Sequence, residues 1–176
     1  MGPTFLQRVD LGARRLMPFG ITLTLMLFAM TPTYISGLSH ITPMYAFMSV
    51  YFWSIYRPDL LGYGTVFFIG VLEDLLAGTP LGSSALILLV CQRAVFSQQK
   101  FFNSRPFGLI WAAFALLTLG ASGIRWVCVG LAGSSGFTPF GTMIAGALMT
   151  IALYPLVAWV MAKAQMKLLS TEWADE

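Results

Sequence analysis

Apolar residues in this chain fall in long, nearly uninterrupted runs. They do not alternate as in a half-buried strand, nor do they form the single stripe of a surface helix. Six runs stand at approximately Pro18–Ser36, Pro43–Tyr56, Pro58–Ala77, Ser83–Phe96, Pro106–Ala132 and Pro139–Ala162. A helix of roughly 17 to 25 residues crosses about 30 Å of hydrocarbon, so each run predicts a membrane span, the second and fourth borrowing flanking residues. Five of the nine prolines, Pro18, Pro43, Pro58, Pro106 and Pro139, open these runs. There the missing N–H costs nothing and the fixed φ suits a first helical turn. Pro155 lies inside the sixth run and predicts a kink, with a freed carbonyl for a neighbouring helix to satisfy. The fold class expected is an all-α membrane protein with about six transmembrane helices in one bundle. Its domains read as a cytoplasmic N-terminal segment over residues 1–16, a transmembrane domain over 17–163 and a cytoplasmic tail over 164–176.

Composition strengthens that reading, with 57% of the residues apolar and 10% charged, against about a quarter charged in a soluble domain. The net charge is +3, yet the basic residues stand singly between apolar runs, which points to orientation in a bilayer and not to nucleic acid. With both termini in the cytoplasm, Arg8, Arg14, Arg15, Arg57, Arg93, Lys100, Arg105, Lys163 and Lys167 all lie inside or at inner helix ends. The outer loops near His40, Thr79 and Ser134 then hold no Lys or Arg, as the positive-inside rule asks of an inner-membrane protein. Thr4–Leu16 reads either as an amphipathic helix lying on an anionic leaflet or as a frayed basic leader weakened by Gly12. The run after Arg14 and Arg15 exceeds a signal-peptide core and has no A-x-A site, so it reads as a retained first helix. Cys91 and Cys128 sit inside apolar runs without metal-site spacing and read as buried thiols.

An ionisable residue within a span costs roughly 2.5 to 3.5 kcal/mol on insertion scales, so each needs a partner, a wet cavity or a function. Three qualify: Glu73 and Asp74 near the outer end of the third run, and Arg125 in the outer half of the fifth. Their similar depth predicts an ion pair of Arg125 with Asp74 or Glu73. Neighbouring helical residues point about 100° apart, so the two carboxylates face different surroundings. Asp74 shares a face with Gly70, Ala77 and Gly78, a small-residue stripe that lets a helix approach, whereas Glu73 aligns with Val66 and Ile69 on a lipid-like or partner-like face. Gly120, Gly123, Gly130 and Gly133 mark a second candidate helix interface. His40 has no Cys, Asp or Glu neighbour, the serines lack a base, and no phosphate-binding glycine motif is present. Neither catalysis nor a metal or cofactor site is expected.

The residues Tyr56-Arg57-Pro58-Asp59, then Gly70-Val71-Leu72-Glu73-Asp74-Leu75-Leu76-Ala77-Gly78-Thr79-Pro80-Leu81-Gly82, lead into an apolar helix ending near Arg93. This pattern resembles the rod shape-determining MreD family, and chain size, six runs and short loops agree over essentially the whole length. The resemblance implies a non-enzymatic subunit of the elongasome, which inserts peptidoglycan along the lateral wall. It implies association with an MreC-like protein, and with MreB, a RodA-type glycosyltransferase and its penicillin-binding transpeptidase. It also implies a fold similar to the substrate-binding subunits of energy-coupling-factor transporters. Within the motif, Arg57 and Pro58 would define the turn entering the third helix, Gly70, Asp74 and Gly78 would fix that helix, and Pro80 and Gly82 would shape the outer turn; Arg93 closes the region. The competing reading is a vitamin-type transporter subunit binding a small molecule in an outward cavity.

Overall fold

The computed structural model describes residues 18–28, 43–99, 106–132 and 139–172, with side chains as far as residue 166. Six α-helices and no strand occur among the described residues. They are α1, described over Pro18–Phe28, then α2 (Tyr45–Tyr56), α3 (Tyr63–Ala77), α4 (Ser83–Ser97), α5 (Phe107–Ala132) and α6 (Phe140–Glu172). Each overlaps one of the predicted runs, and residues 29–36 of the first run lie outside the described residues. The N-terminal segment 1–16, His40, Lys100, Arg105, Gly133 and Ser134 lie outside the described residues.

Lengths divide the helices into two kinds. Helices α5 and α6 are long and apolar enough to cross a membrane. Helix α2 has 12 residues and rises only about 18 Å at 1.5 Å per residue, well short of the hydrocarbon thickness. It is instead the core of the bundle, since every residue from Ala46 to Ile55 is buried. A helix apolar on all sides has no face to give to solvent, and neighbours close around it. Helices α3, α4 and α6 pack against it, α3 pairs with α4, and α5 pairs with α6. Tyr51 of α2, Phe114 of α5 and Tyr154 of α6 meet as a ring cluster, with centroids 5.1 Å apart for Tyr51–Phe114 and 4.0 Å for the stacked Phe114–Tyr154 pair.

Polar links join α2 to its neighbours at intervals. Thr22 and Ser49 share a hydroxyl hydrogen bond of 2.6 Å between α1 and α2. Tyr51 donates its phenolic O–H to the carbonyl of Ile110 at 2.9 Å. At the start of α2 no side chain caps the helix locally; the Met44 N–H donates instead to Thr150 Oγ1 of α6 at 3.2 Å. In an interior without water, each such bond supplies a partner that solvent cannot.

The prolines behave largely as predicted. Pro43, Pro106 and Pro139 stand just ahead of α2, α5 and α6, and each carbonyl accepts a first-turn N–H, from Tyr45, Leu109 and Thr142. Pro58 departs from the expected continuous helix over Pro58–Ala77. It opens a 3₁₀ turn, Pro58–Leu60, and α3 begins only at Tyr63. The break falls at Leu61, whose side chain is fully buried and whose carbonyl accepts Gln92 Nε2 at 2.6 Å. A side-chain donor takes the place of the helical N–H, so the helix can stop there. Helix α6 contains Pro155 and runs on to Glu172, past the Ala162 end expected from hydropathy.

Proline at position 155 cannot donate to the carbonyl of Ile151, one turn earlier. Trp111 of α5 does so, its indole N–H reaching Ile151 O at 3.0 Å. Of the expected glycine interface, Gly120 and Gly123 meet no neighbouring helix among the described residues, since a Cβ at either would find nothing within 4 Å. Trp111→Phe is expected to lower stability by about 1 kcal/mol, seen as an earlier thermal midpoint in detergent. In a Pro155→Ala background the restored N–H re-bonds Ile151, so the same change should be nearly silent; equal losses in both backgrounds would refute the link.

Candidate functional site

The motif region folds into the hairpin of α3 and α4, and the turn between them is built from Asp74 upward. Asp74 is fully buried in the last turns of α3. Gly78 ends that helix at φ +65°, and the N–H groups of Gly78 and Thr79 both bond the Asp74 carbonyl, the second at 3.1 Å. This is a glycine-terminated helix end, in which a residue with a Cβ would be strained. The chain then reverses through Pro80, whose carbonyl accepts the Ser83 N–H at 3.1 Å. Gly82 lies at φ +94°, ψ −11°, the conformation of the third residue of a type II turn, which also demands glycine.

That glycine creates a deficit. It occupies the N-cap of α4, where serine, threonine or aspartate would ordinarily bond the exposed N–H groups, and it has no side chain with which to do so. Asp74 supplies the cap from the preceding helix. Its Oδ2 accepts the Gly82 N–H at 2.7 Å, and its Oδ1 accepts the Ser84 N–H at 3.0 Å. Oδ1 also accepts the hydroxyls of Thr79 at 2.7 Å and Ser83 at 3.0 Å. Both carboxylate oxygens are thus saturated by donors of one turn, at the positive end of the α4 dipole.

One turn before Asp74 on the same face, Gly70 brings the two backbones together. A Cβ there would lie 2.3 Å from Ala85 Cα and 2.6 Å from Ala85 N. The small-residue stripe is correct for Gly70 and needs correction for its other members. Ala77 and Gly78 are exposed, and a Cβ on Gly78 would meet nothing within 4 Å. Gly78 is required by its backbone angle and not by a neighbouring helix. At the opposite end of the hairpin, Gln92 of α4 is fully buried and donates to Leu61. Sequence reasoning missed this residue. The available signal was a lone amide inside an apolar run, eight positions after Ser84 and therefore on the same buried face.

The structure also settles which carboxylate meets Arg125. Its Nη1 lies 3.7 Å from Glu73 Oε1, and Asp74 has no ion pair among the described residues. Asp74 is already satisfied by N–H and O–H donors, while Glu73, about 100° further round the helix, is the carboxylate left to face a cation. Of the lipid-like or partner-like face expected for Glu73, the structure shows the partner-like one. Val66 and Ile69, its helical neighbours, are buried, and the Glu73 side chain is only 14% exposed. Of the remaining motif residues, Arg57 and Pro58 are half-buried in the connection before α3, and Arg93 is exposed on α4. These three lie at the end of the hairpin opposite Asp74, Gly78, Pro80 and Gly82. No group of three His, Cys, Asp or Glu suited to a metal occurs among the described residues.

Asp74→Ala strands the donors of Gly82, Ser84, Thr79 and Ser83, and is expected to cost about 3 kcal/mol. Asp74→Asn keeps one acceptor oxygen and should lose about half as much. Both effects should persist unchanged in an Arg125→Gln background, measured as thermal midpoints in detergent, because the two residues share no partner. Gly70→Ala forces backbone against backbone and should cost about 1 to 3 kcal/mol. Gly64→Ala, open on all sides, should be neutral or stabilising and serves as the control.

Compared with known proteins, residues 13–164 match the family model described as rod shape-determining protein MreD. No curated protein and no solved structure matches the chain.

Proposed function

Because this chain belongs to the MreD family of rod shape-determining membrane proteins, we propose that it is a non-enzymatic inner-membrane subunit of the elongasome. It supports lateral peptidoglycan synthesis by holding protein partners together. The observation that carries this reading is the family match over residues 13–164, nearly the whole chain. The chemistry of the hairpin supports it, since the carboxylate of Asp74 and the amide N–H of Gln92 are committed to joining helices. An MreC-like protein is the first partner of this reading, followed by MreB, a RodA-type glycosyltransferase and a penicillin-binding transpeptidase. Exposed apolar side chains such as Phe67, Leu116 and Leu131 give the outer helix faces on which such partners would pack.

In the same reading all six helices belong to a transmembrane domain over residues 17–163, with both termini cytoplasmic. Arg57, Arg93 and Lys163 gather at the end of the bundle opposite the α3–α4 turn, and Lys163 Nζ sits 4.0 Å from the centroid of the Trp159 ring. Cations beside an aromatic ring suit the inner membrane interface.

Crosslinking of the tagged chain in cells, followed by purification and mass spectrometry, should recover the MreC-like protein and the synthase pair. A stoichiometric small molecule with no cell-wall protein would overturn the scaffold reading in favour of a transporter subunit. Orientation is tested separately in a cysteine-free background. An impermeant maleimide should label Leu81→Cys in intact cells and Gln98→Cys only after lysis, both sites being exposed; the reverse pattern would overturn the topology.

A further inference from the structure

Beside the α3–α4 turn, residues of α5 and α6 line a cavity of about 330 Å³, within the range of small-ligand sites. Arg125 and Ser122 of α5 and Thr142 of α6 line it with polar groups. Trp126 and Met143 form apolar wall, and Gly146 leaves the space open. A Cβ at Gly146 would meet nothing within 4 Å. One cation, Arg125, lines an otherwise largely apolar space.

The state of that cation is informative. Arg125 has five N–H donors, yet its guanidinium makes no hydrogen bond among the described residues; Glu73 Oε1 stands at 3.7 Å, outside hydrogen-bond range. Its side chain is 26% exposed, and the cavity is where that exposure opens. Glu73 balances the charge from outside hydrogen-bond range, so the donors of the guanidinium at the cavity wall remain available. A planar fork of donors recognises carboxylate and phosphate oxygens by paired hydrogen bonds. The ring and thioether walls accept an apolar body.

We propose that the α5–α6 cavity binds an anionic amphiphile, with its carboxylate or phosphate on Arg125 and its apolar portion between Trp126 and Met143. The anion comes either from a phospholipid headgroup entering laterally or from a small carboxylate entering from the outer end. The site goes beyond the scaffold role, and its failure would leave the crosslinking result standing.

The full chain, purified in mild detergent, is exposed separately to phosphatidylglycerol, to phosphatidylcholine with the same acyl chains, and to decanoate, and retained adducts are counted by native mass spectrometry. Phosphatidylglycerol retained about tenfold over phosphatidylcholine would support the lipid source, and decanoate retained without phosphatidylglycerol would support the small-carboxylate source. Gly146→Leu fills the cavity, and the paired Glu73→Gln, Arg125→Gln change removes the charge while stranding neither partner. Each should reduce the retained anion by about tenfold with an unchanged thermal midpoint. Equal retention of the two lipids without decanoate binding, or adducts unaffected in both variants, would overturn the proposal. So would no adduct of any probe.

Discussion

An amide N–H or carbonyl with no partner is tolerable on a wetted surface and costs several kcal/mol in an apolar interior. Four helix starts and interruptions in this protein meet that constraint through tertiary partners. The start of α4 is met by the Asp74 carboxylate, and the start of α2 by Thr150. The break before α3 is met by Gln92, and the carbonyl freed by Pro155 is met by Trp111. In each case the partner comes from another helix, or from a position at least eight residues away. The bonds that complete the helices are therefore the same ones that assemble the bundle.

This coupling lets α2 be both short and central. A 12-residue helix surrounded on every side has little intrinsic stability of its own and depends on tertiary packing. Its neighbours supply that packing, with the Phe114 and Tyr154 rings meeting Tyr51 of α2. The backbone contact at Gly70 brings α3 and α4 together, which sets the distance across which Asp74 can reach the next helix. Gly70, Asp74, Gly78 and Gly82 thus act as one unit: two glycines permit the turn, one permits the approach, and the carboxylate satisfies the donors both leave exposed.

The two adjacent carboxylates divide the work available to charges in this bundle. Asp74 is enclosed by donors of its own hairpin and stabilises structure. Glu73 faces Arg125 at the edge of a cavity, so the guanidinium is balanced in charge while its hydrogen-bonding capacity remains available. In a member of a family of shape-determining membrane proteins, the first arrangement fixes the α3–α4 hairpin, and the second leaves a charge-balanced guanidinium at the edge of a cavity.

The positions of the described helices, the prolines that precede them, the burial of Asp74 and the approach at Gly70 were legible in the sequence. Each depends on local rules: the length of an apolar run, the fixed φ of proline, the cost of a charge in hydrocarbon, the absence of a Cβ. The family was legible as well, in the segment from Arg57 to Arg93. The ion-pair partner of Arg125, the role of Gln92, the break at Leu61, the outward-facing Gly120 and Gly123 and the central place of α2 were not. All of these depend on which helix lies beside which, and residues as distant as Met44 and Thr150, or Trp111 and Ile151, are brought together only when the bundle closes. Periodicity reports the direction a side chain takes from its own helix axis, whereas tertiary packing decides what it finds there.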